Sequence, residues 1–155
     1  MDEIDVITID RTTPFNPSGF INSDWSLLSQ DERSLELLEV NISKVKLVPT
    51  ILIGNETSTY YKKRMERLRE QGGITLDAKV LLVLWKNQHL VPESWKQATE
   101  EGRYVEIFFD GTVLTGPKHY EYILCFAFRF GEWSWNWKPT FGLWGHTHSS
   151  AVLVV

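Results

Sequence analysis

The feature that most constrains the fold is a long alternation of aromatic side chains in the last third of the 155-residue chain. In residues 120–130 every second side chain is Tyr, Phe or Leu, and residues 133–137 carry Trp at every second position. A period of two is typical of β-strands, whose side chains alternate between two faces. These segments therefore predict a β-hairpin with its Phe and Trp side chains on one face.

The register of this hairpin follows from matching aromatic side chains across the turn. A two-residue loop at Gly131 and Glu132 predicts the pairs Phe130–Trp133, Phe128–Trp135 and Phe126–Trp137. A slip by one residue would place Ser134 and Asn136 opposite the phenylalanines instead. Cross-strand aromatic pairs contribute about 0.2–1 kcal/mol each, which favours the first register.

The remaining elements are less regular. We predict strands at residues 4–9, 104–109, 112–115 and 150–155, and helices at residues 59–71, 78–88 and 92–100. Asp77 is a natural N-cap of the second helix, and Asp110 with Gly111 predicts a hairpin turn. Residues 35–47 fit neither period, although their Val and Ile favour a strand.

This order of elements predicts an α+β fold in which central helices pack on a C-terminal antiparallel β-meander. The length fits a single domain over residues 1–155. We expect one core that contains Leu81, Leu84, Trp85, Leu124 and Phe126.

Composition narrows the class of protein. The net charge of -4 is unfavourable for nucleic-acid binding, and no apolar run is long enough to span a membrane. Cys125 lies in an apolar run and is expected to be buried. The acidic N-terminus does not resemble a secretory signal, so we expect a cytoplasmic protein. No phosphate loop, nucleophile elbow or Cys-x-x-Cys motif is present, and we expect no cofactor.

Several segments resemble those of a group of small bacterial proteins of unknown function. They are residues 31–35, 76–80, 84–96, 108–114 and 150–153. This resemblance covers most of the chain from residue 31, and it implies a bacterial, cytoplasmic source and no particular activity.

The best spacing for a metal site is His146-Thr147-His148. On a strand these two imidazoles would point the same way, and His119 or Asp110 could supply a third ligand. The alternative is a polar turn with exposed histidines, which we favour.

The predicted helix at residues 59–71 is strongly basic. It carries Lys62, Lys63, Arg64, Arg67 and Arg69. Such a run is most often a solvated face, and an acidic partner is the alternative.

The tryptophan side chains could either be buried in the core or form an exposed binding surface. We expect the inner part of the aromatic face to be core and its turn end, Phe130 and Trp133, to reach solvent. Trp144 stands between two glycines that allow close approach of a partner. Phe130, Trp133 and Trp144 are therefore the candidate binding residues.

No acid, base, nucleophile and metal ligands converge in the sequence. We therefore expect a small non-enzymatic binding or interaction domain whose partner is a protein or a small molecule. The alternatives are a metal-dependent hydrolase-type enzyme that uses His146, His148 and His119, and a structural or assembly component.

Overall fold

The structure is a computed structural model, and it describes residues 5–97 and 102–155. The helices of this part of the chain are α1 (Pro17–Phe20), α2 (Glu32–Leu35), α3 (Tyr61–Glu70) and α4 (Ala78–Lys86). Its strands are β1 (Val6–Thr8), β2 (Ser26–Gln30), β3 (Glu39–Asn41), β4 (Val45–Pro49), β5 (Ile74–Thr75), β6 (Glu106–Phe108), β7 (Thr112–Thr115), β8 (Glu121–Arg129), β9 (Glu132–Pro139) and β10 (His148–Leu153).

Eight of these strands form one mixed sheet, and β1 pairs with β3 separately. The long strand β8 is flanked by β9 along one edge and by β6 and β7, in line with each other, along the other. Next to that line, β10 runs parallel to β6 while β2 runs antiparallel to β7. On its other edge β10 pairs with β4. Where β6 ends, the edge of β10 that faces β6 pairs with the short strand β5.

The line of β6 and β7 is interrupted here by a bulge of three extra residues. The six steps from residue 108 to residue 114 lie opposite only three steps of β8, from residue 125 to residue 122. Within the bulge, the Gly111 carbonyl accepts a hydrogen bond from the Asp31 N–H at 2.8 Å. The Gly111 N–H donates to the Leu76 carbonyl at 2.9 Å, and a Cβ at Gly111 would lie 2.6 Å from that carbonyl's carbon. Only glycine fits this close approach.

The sheet packs on both faces. On the face covered by α4, which we call the α4 face, Leu81 and Leu84 pack with Leu124 and Phe126. These four side chains are at most 1% exposed, and half-buried Trp85 contacts Phe126 edge-on. Four of the five predicted core residues are thus buried, whereas Trp85 only packs against the core.

The opposite face, which we call the α3 face, carries smaller apolar clusters beneath α3. Their buried members are Phe108, Ile123, Cys125 and Trp144 in one cluster and Met65, Leu68 and Val152 in the other. The expected burial of Cys125 is confirmed by its 1% exposure.

The predicted fold class, central helices packed on a C-terminal antiparallel meander, is wrong. The sheet dominates, it includes β2 and β4 from the first third of the chain, and its β6–β10 pair is parallel. The strand β2 has no buried residue, so its sequence lacks the alternation that would predict it. Of the predicted helix at residues 92–100, a 3₁₀ turn forms at Glu93–Trp95, and residues 98–100 lie outside the described part.

Two predicted turns also change. Asp110 and Gly111 form no hairpin turn, because β6 and β7 both pair with β8 and not with each other. The turn after β8 consists of Phe130 and Gly131, whose φ angles of 53° and 80° suit a type I′ turn. The resulting pairs are Phe128–Trp133, Phe126–Trp135 and Leu124–Trp137. Each tryptophan has shifted by two positions of β8, so the predicted face survives while the predicted pairs do not.

Candidate functional site

The bulge directs Asp110 into the α3 face, where the residue is 5% exposed. Its Oδ1 accepts hydrogen bonds from Nη1 of Arg64 at 2.8 Å and from the Tyr61 hydroxyl at 3.1 Å. Its Oδ2 accepts from Nη2 of Arg64 at 3.2 Å and from Oγ of Ser150 at 2.6 Å. The bidentate arginine and the two hydroxyls together compensate the buried negative charge.

Arg64 is equally well held. It is 2% exposed, its Nε donates to Oγ1 of Thr50 at 3.2 Å, and its guanidinium carbon lies 4.5 Å from the Trp144 ring centre. The prediction of a solvated basic face is therefore wrong at this position. The sequence contained the signal, because Arg64 falls on the same helical stripe as Tyr61 and Leu68.

A cavity of about 320 Å³ opens beside this ion pair, between β2 and β5. We call it the bulge cavity. Residues from β2, α2, α3, β5 and the bulge itself line it. They are Ser29, Gln30, Asp31, Arg33, Tyr61, Met65, Arg69, Thr75, Asp110, Gly111 and Val113.

Asp31 lines the bulge cavity, and its carboxylate is hydrogen-bonded to neighbouring side chains. Oδ2 of Asp31 accepts hydrogen bonds from Nη2 of Arg33 and from Oγ1 of Thr75, both at 2.9 Å. Burial acts to raise the pKa of Asp31, but these hydrogen bonds outweigh it and hold the pKa below its ordinary value. Asp31 is therefore an ionised, hydrogen-bonded wall of the cavity at neutral pH.

Not every arginine beside the cavity has a carboxylate partner among the described residues. Arg64 balances Asp110, and Arg33 balances Asp31. Arg69 also lines the cavity and is exposed, and it forms no ion pair within residues 5–97 and 102–155. The cavity thus keeps one cationic group free at its wall.

Tyr61 links the ion pair to the cavity. Burial, followed by the adjacent Asp110 carboxylate, raises the pKa of Tyr61 well above its ordinary value. The phenol therefore stays protonated and serves as a hydrogen-bond donor.

A second ion pair, between buried Asp77 and half-buried Arg11, lies on the other side of the sheet. Asp77 caps α4 as predicted, and its carboxylate also accepts from Nη1 of Arg11 at 2.8 Å and from Oγ of Ser34 at 2.6 Å. Arg11 further donates to the Ser34 and Leu37 carbonyls. This pair ties the N-terminal loop to α2 and α4, which is a structural role.

The candidate binding residues Phe130, Trp133 and Trp144 occupy very different environments. Phe130 is 95% exposed at the hairpin turn, as expected. Trp133 was expected to reach solvent, but it is 7% exposed and stacks on Phe126 with ring centres 4.6 Å apart. Trp144 is fully buried, between Phe108 and the Arg64 guanidinium. The structure does not bring the three side chains into one surface.

The histidines are also dispersed. β10 begins at His148, so His146 lies in the preceding turn and does not share its strand face. Nδ1 of His148 accepts from the Gly145 N–H at 2.9 Å, and Nε2 lies 3.6 Å from Glu106. His119 is exposed in the turn before β8. Among the described residues, no three His, Cys, Asp or Glu side chains are grouped to hold a metal ion.

The sequence analysis did not predict the bulge cavity as a site, although it named Asp110 as a possible metal ligand and Arg69 in the basic helix. Asp31 and Arg33 come from the start of α2, Arg69 from α3 and Thr75 from β5, with no shared motif. Only the bulge at Gly111 had a visible signal, and an Asp-Gly pair is far more typical of a hairpin turn.

Comparison with protein-family models, with curated proteins and with solved structures finds no match. Within the described residues, no helix has the length and apolar character needed to cross a membrane.

Proposed function

We propose that this protein is a small, non-enzymatic binding domain whose ligand occupies the bulge cavity. The observation that carries the proposal is the combination of a polar cavity with one unmatched cation, Arg69, at its wall. The site is concave and lies beside the break between β6 and β7, where polar groups from several elements converge.

The state of the carboxylates favours binding over catalysis. Asp110 and Asp31 are each held by an arginine and by hydroxyl donors. Moving a proton onto either carboxylate would break these contacts, so neither is poised as a general base. Their role in the proposal is to keep Tyr61, Arg33 and the bulge in place.

The charge pattern indicates the class of ligand. With Asp110 and Asp31 compensated, an anionic group placed near Arg69 would find a cation without an internal competitor. The side-chain carbonyl of Gln30 accepts a hydrogen bond from the Thr112 hydroxyl, which leaves the side-chain N–H groups of Gln30 for the ligand. We therefore propose a small polar ligand with one carboxylate or phosphate group. The single, buried cysteine fits a reducing compartment, and we place the protein in a bacterial cytoplasm.

The test is a titration with acetate, succinate, inorganic phosphate and glycerol 3-phosphate, followed by the amide NMR signals of Asp31, Thr75 and Gly111. We expect saturable shifts at these positions for at least one probe. Arg69→Ala should weaken the binding of that probe about tenfold or more, because a charge-assisted hydrogen bond is lost.

The matched control is Lys63→Ala, which removes an exposed cation from the same helix outside the cavity. It should leave the affinity unchanged. The proposal fails if no probe shifts the cavity amides, or if Arg69→Ala and Lys63→Ala weaken binding equally.

A further inference from the structure

The outer edge of β9 has no strand partner. Within the described residues β9 pairs with β8 and with no other strand, over eight residues. Because Arg129 and Glu132 flank the two-residue turn, Glu132 and every second residue after it bond toward β8. The N–H and C=O groups of the three tryptophans of β9 therefore point outward. In agreement, the Trp137 N–H donates to the side-chain oxygen of its own neighbour, Asn136, at 2.9 Å.

The sequence of this edge is complementary to itself. If a second copy pairs antiparallel with its centre at Trp135, Glu132 of each copy lies opposite Lys138 of the other. The registers that bond outward groups to each other differ by two residues. A shift of two positions would place Lys138 opposite Ser134 or beside the turn, and the charge match would be lost. Glu132 and Lys138 form no ion pair within the described part of the chain. The Lys138 ammonium lies 4.9 Å from the Trp144 ring centre, and it would have to turn away from this ring to meet Glu132 of a second copy.

The two ends of β9 are also complementary in shape, because one end exposes a phenylalanine and the other end has a groove. At one end Phe130 is 95% exposed in a left-handed backbone conformation, which is unusual for a bulky residue. At the other end exposed Phe141 contacts Tyr120 edge-on, with ring centres 4.9 Å apart, beside an open groove of about 390 Å³. The same register brings Phe130 of one copy alongside Thr140 of the other, at this groove.

We propose that two copies of this chain pair antiparallel along β9, with the two-fold axis at Trp135, to form one continuous sheet. Main-chain hydrogen bonds between the tryptophan positions hold the two edges together. The Glu132–Lys138 pairs select the register, and Phe130 fills the groove at His119, Tyr120 and Phe141 of the second copy. Exposed edges of this length are normally blocked or paired in proteins.

A charge swap tests the register directly. Sedimentation of the full chain should show a mass of twice 18.0 kDa at high concentration. Glu132→Lys and Lys138→Glu, made singly, place like charges opposite each other and should each weaken the dimer by about tenfold or more. The double variant restores opposite charges and should restore the dimer. Lys46→Glu, an exposed charge reversal on β4, is the control and should have no effect.

Phe130→Asn separates the dimer from the hairpin itself. Asn-Gly is favoured in a type I′ turn, so the monomer should be as stable as the parent or more stable. The dimer should nevertheless weaken, because the groove loses its occupant. A monomer up to about 1 mM, where only very weak association would be missed, overturns the proposal. So does a dimer that the single charge reversals leave intact, or an edge that binds an extended peptide while the chain stays monomeric.

Discussion

The two faces of the sheet solve the same packing problem in different ways. The centre of the α4 face is apolar, with Leu81, Leu84 and Phe126 fully buried, and its ion pair of Asp77 and Arg11 lies at the start of α4. The α3 face buries an arginine and an aspartate among aromatic rings, and a cavity opens beside them. Apolar packing needs only volume and exclusion of water, whereas a buried ion pair needs every partner in place. The α3 face is therefore the more specified of the two, and it is the one that carries the candidate site.

The largest effect is expected for the buried ion pair. Arg64→Ala leaves Asp110 charged and without its main partner, so the free energy of unfolding should fall by about 3–5 kcal/mol. Chemical denaturation measures this change. Lys63→Ala, on the exposed side of the same helix, should stay within about 0.5 kcal/mol of the parent.

The double variant Arg64→Met/Asp110→Leu sharpens the interpretation. Removing both charges together avoids a lone buried carboxylate, so most of the stability should return. If Arg64→Ala costs less than about 1 kcal/mol, the ion pair does not organise this face.

A comparable but purely apolar loss is expected on the other face. Leu84→Ala removes a fully buried side chain of α4 and should cost about 2–5 kcal/mol. Leu84→Met keeps the volume and should cost less than about 1.5 kcal/mol. Thermal unfolding checks both variants against Lys86→Ala on the exposed side of α4. An unchanged midpoint for Leu84→Ala would mean that α4 does not form the core of this face.

The smallest expected effect is a pH dependence of the free energy of unfolding that arises from His148 on the α3 face. Burial, together with Lys138 and Arg64, lowers the pKa of His148 to about 4, although Glu106 lies 3.6 Å away. Between pH 6.5 and about 4 the unfolded chain binds a proton that the folded chain does not, so stability should fall as the pH falls through this window.

His148→Asn removes the titration and keeps an acceptor for the Gly145 N–H. Between pH 7 and 4.5 the parent should lose about 1 kcal/mol more stability than this variant, after allowance for solvent screening. Equal losses in urea titrations at the two pH values would show that His148 is not the group responsible.

Local sequence patterns predicted the elements that pair with segments close to them in the sequence. The alternation in residues 120–137 predicted β8, β9 and their aromatic face, and Asp77 predicted the start of α4. The cross-strand pairs were wrong because a period of two specifies a face and leaves the partner to the turn. Phe130 takes the left-handed conformation that this turn requires, at a position where Asn or Gly would be typical.

The site depended on contacts that no local pattern encodes. Arg64 and Asp110 are 46 positions apart, and Asp31 and Thr75 are 44 positions apart. They meet because β2 and β10 both flank the line of β6 and β7, and because three extra residues at Gly111 turn Asp110 out of the sheet. Sequence periodicity predicted the apolar faces of β8 and α4, but not the burial of Arg64 and Trp133. Which charges would be buried together was set by strand order and by the bulge, since long-range pairing is decided by the whole sheet.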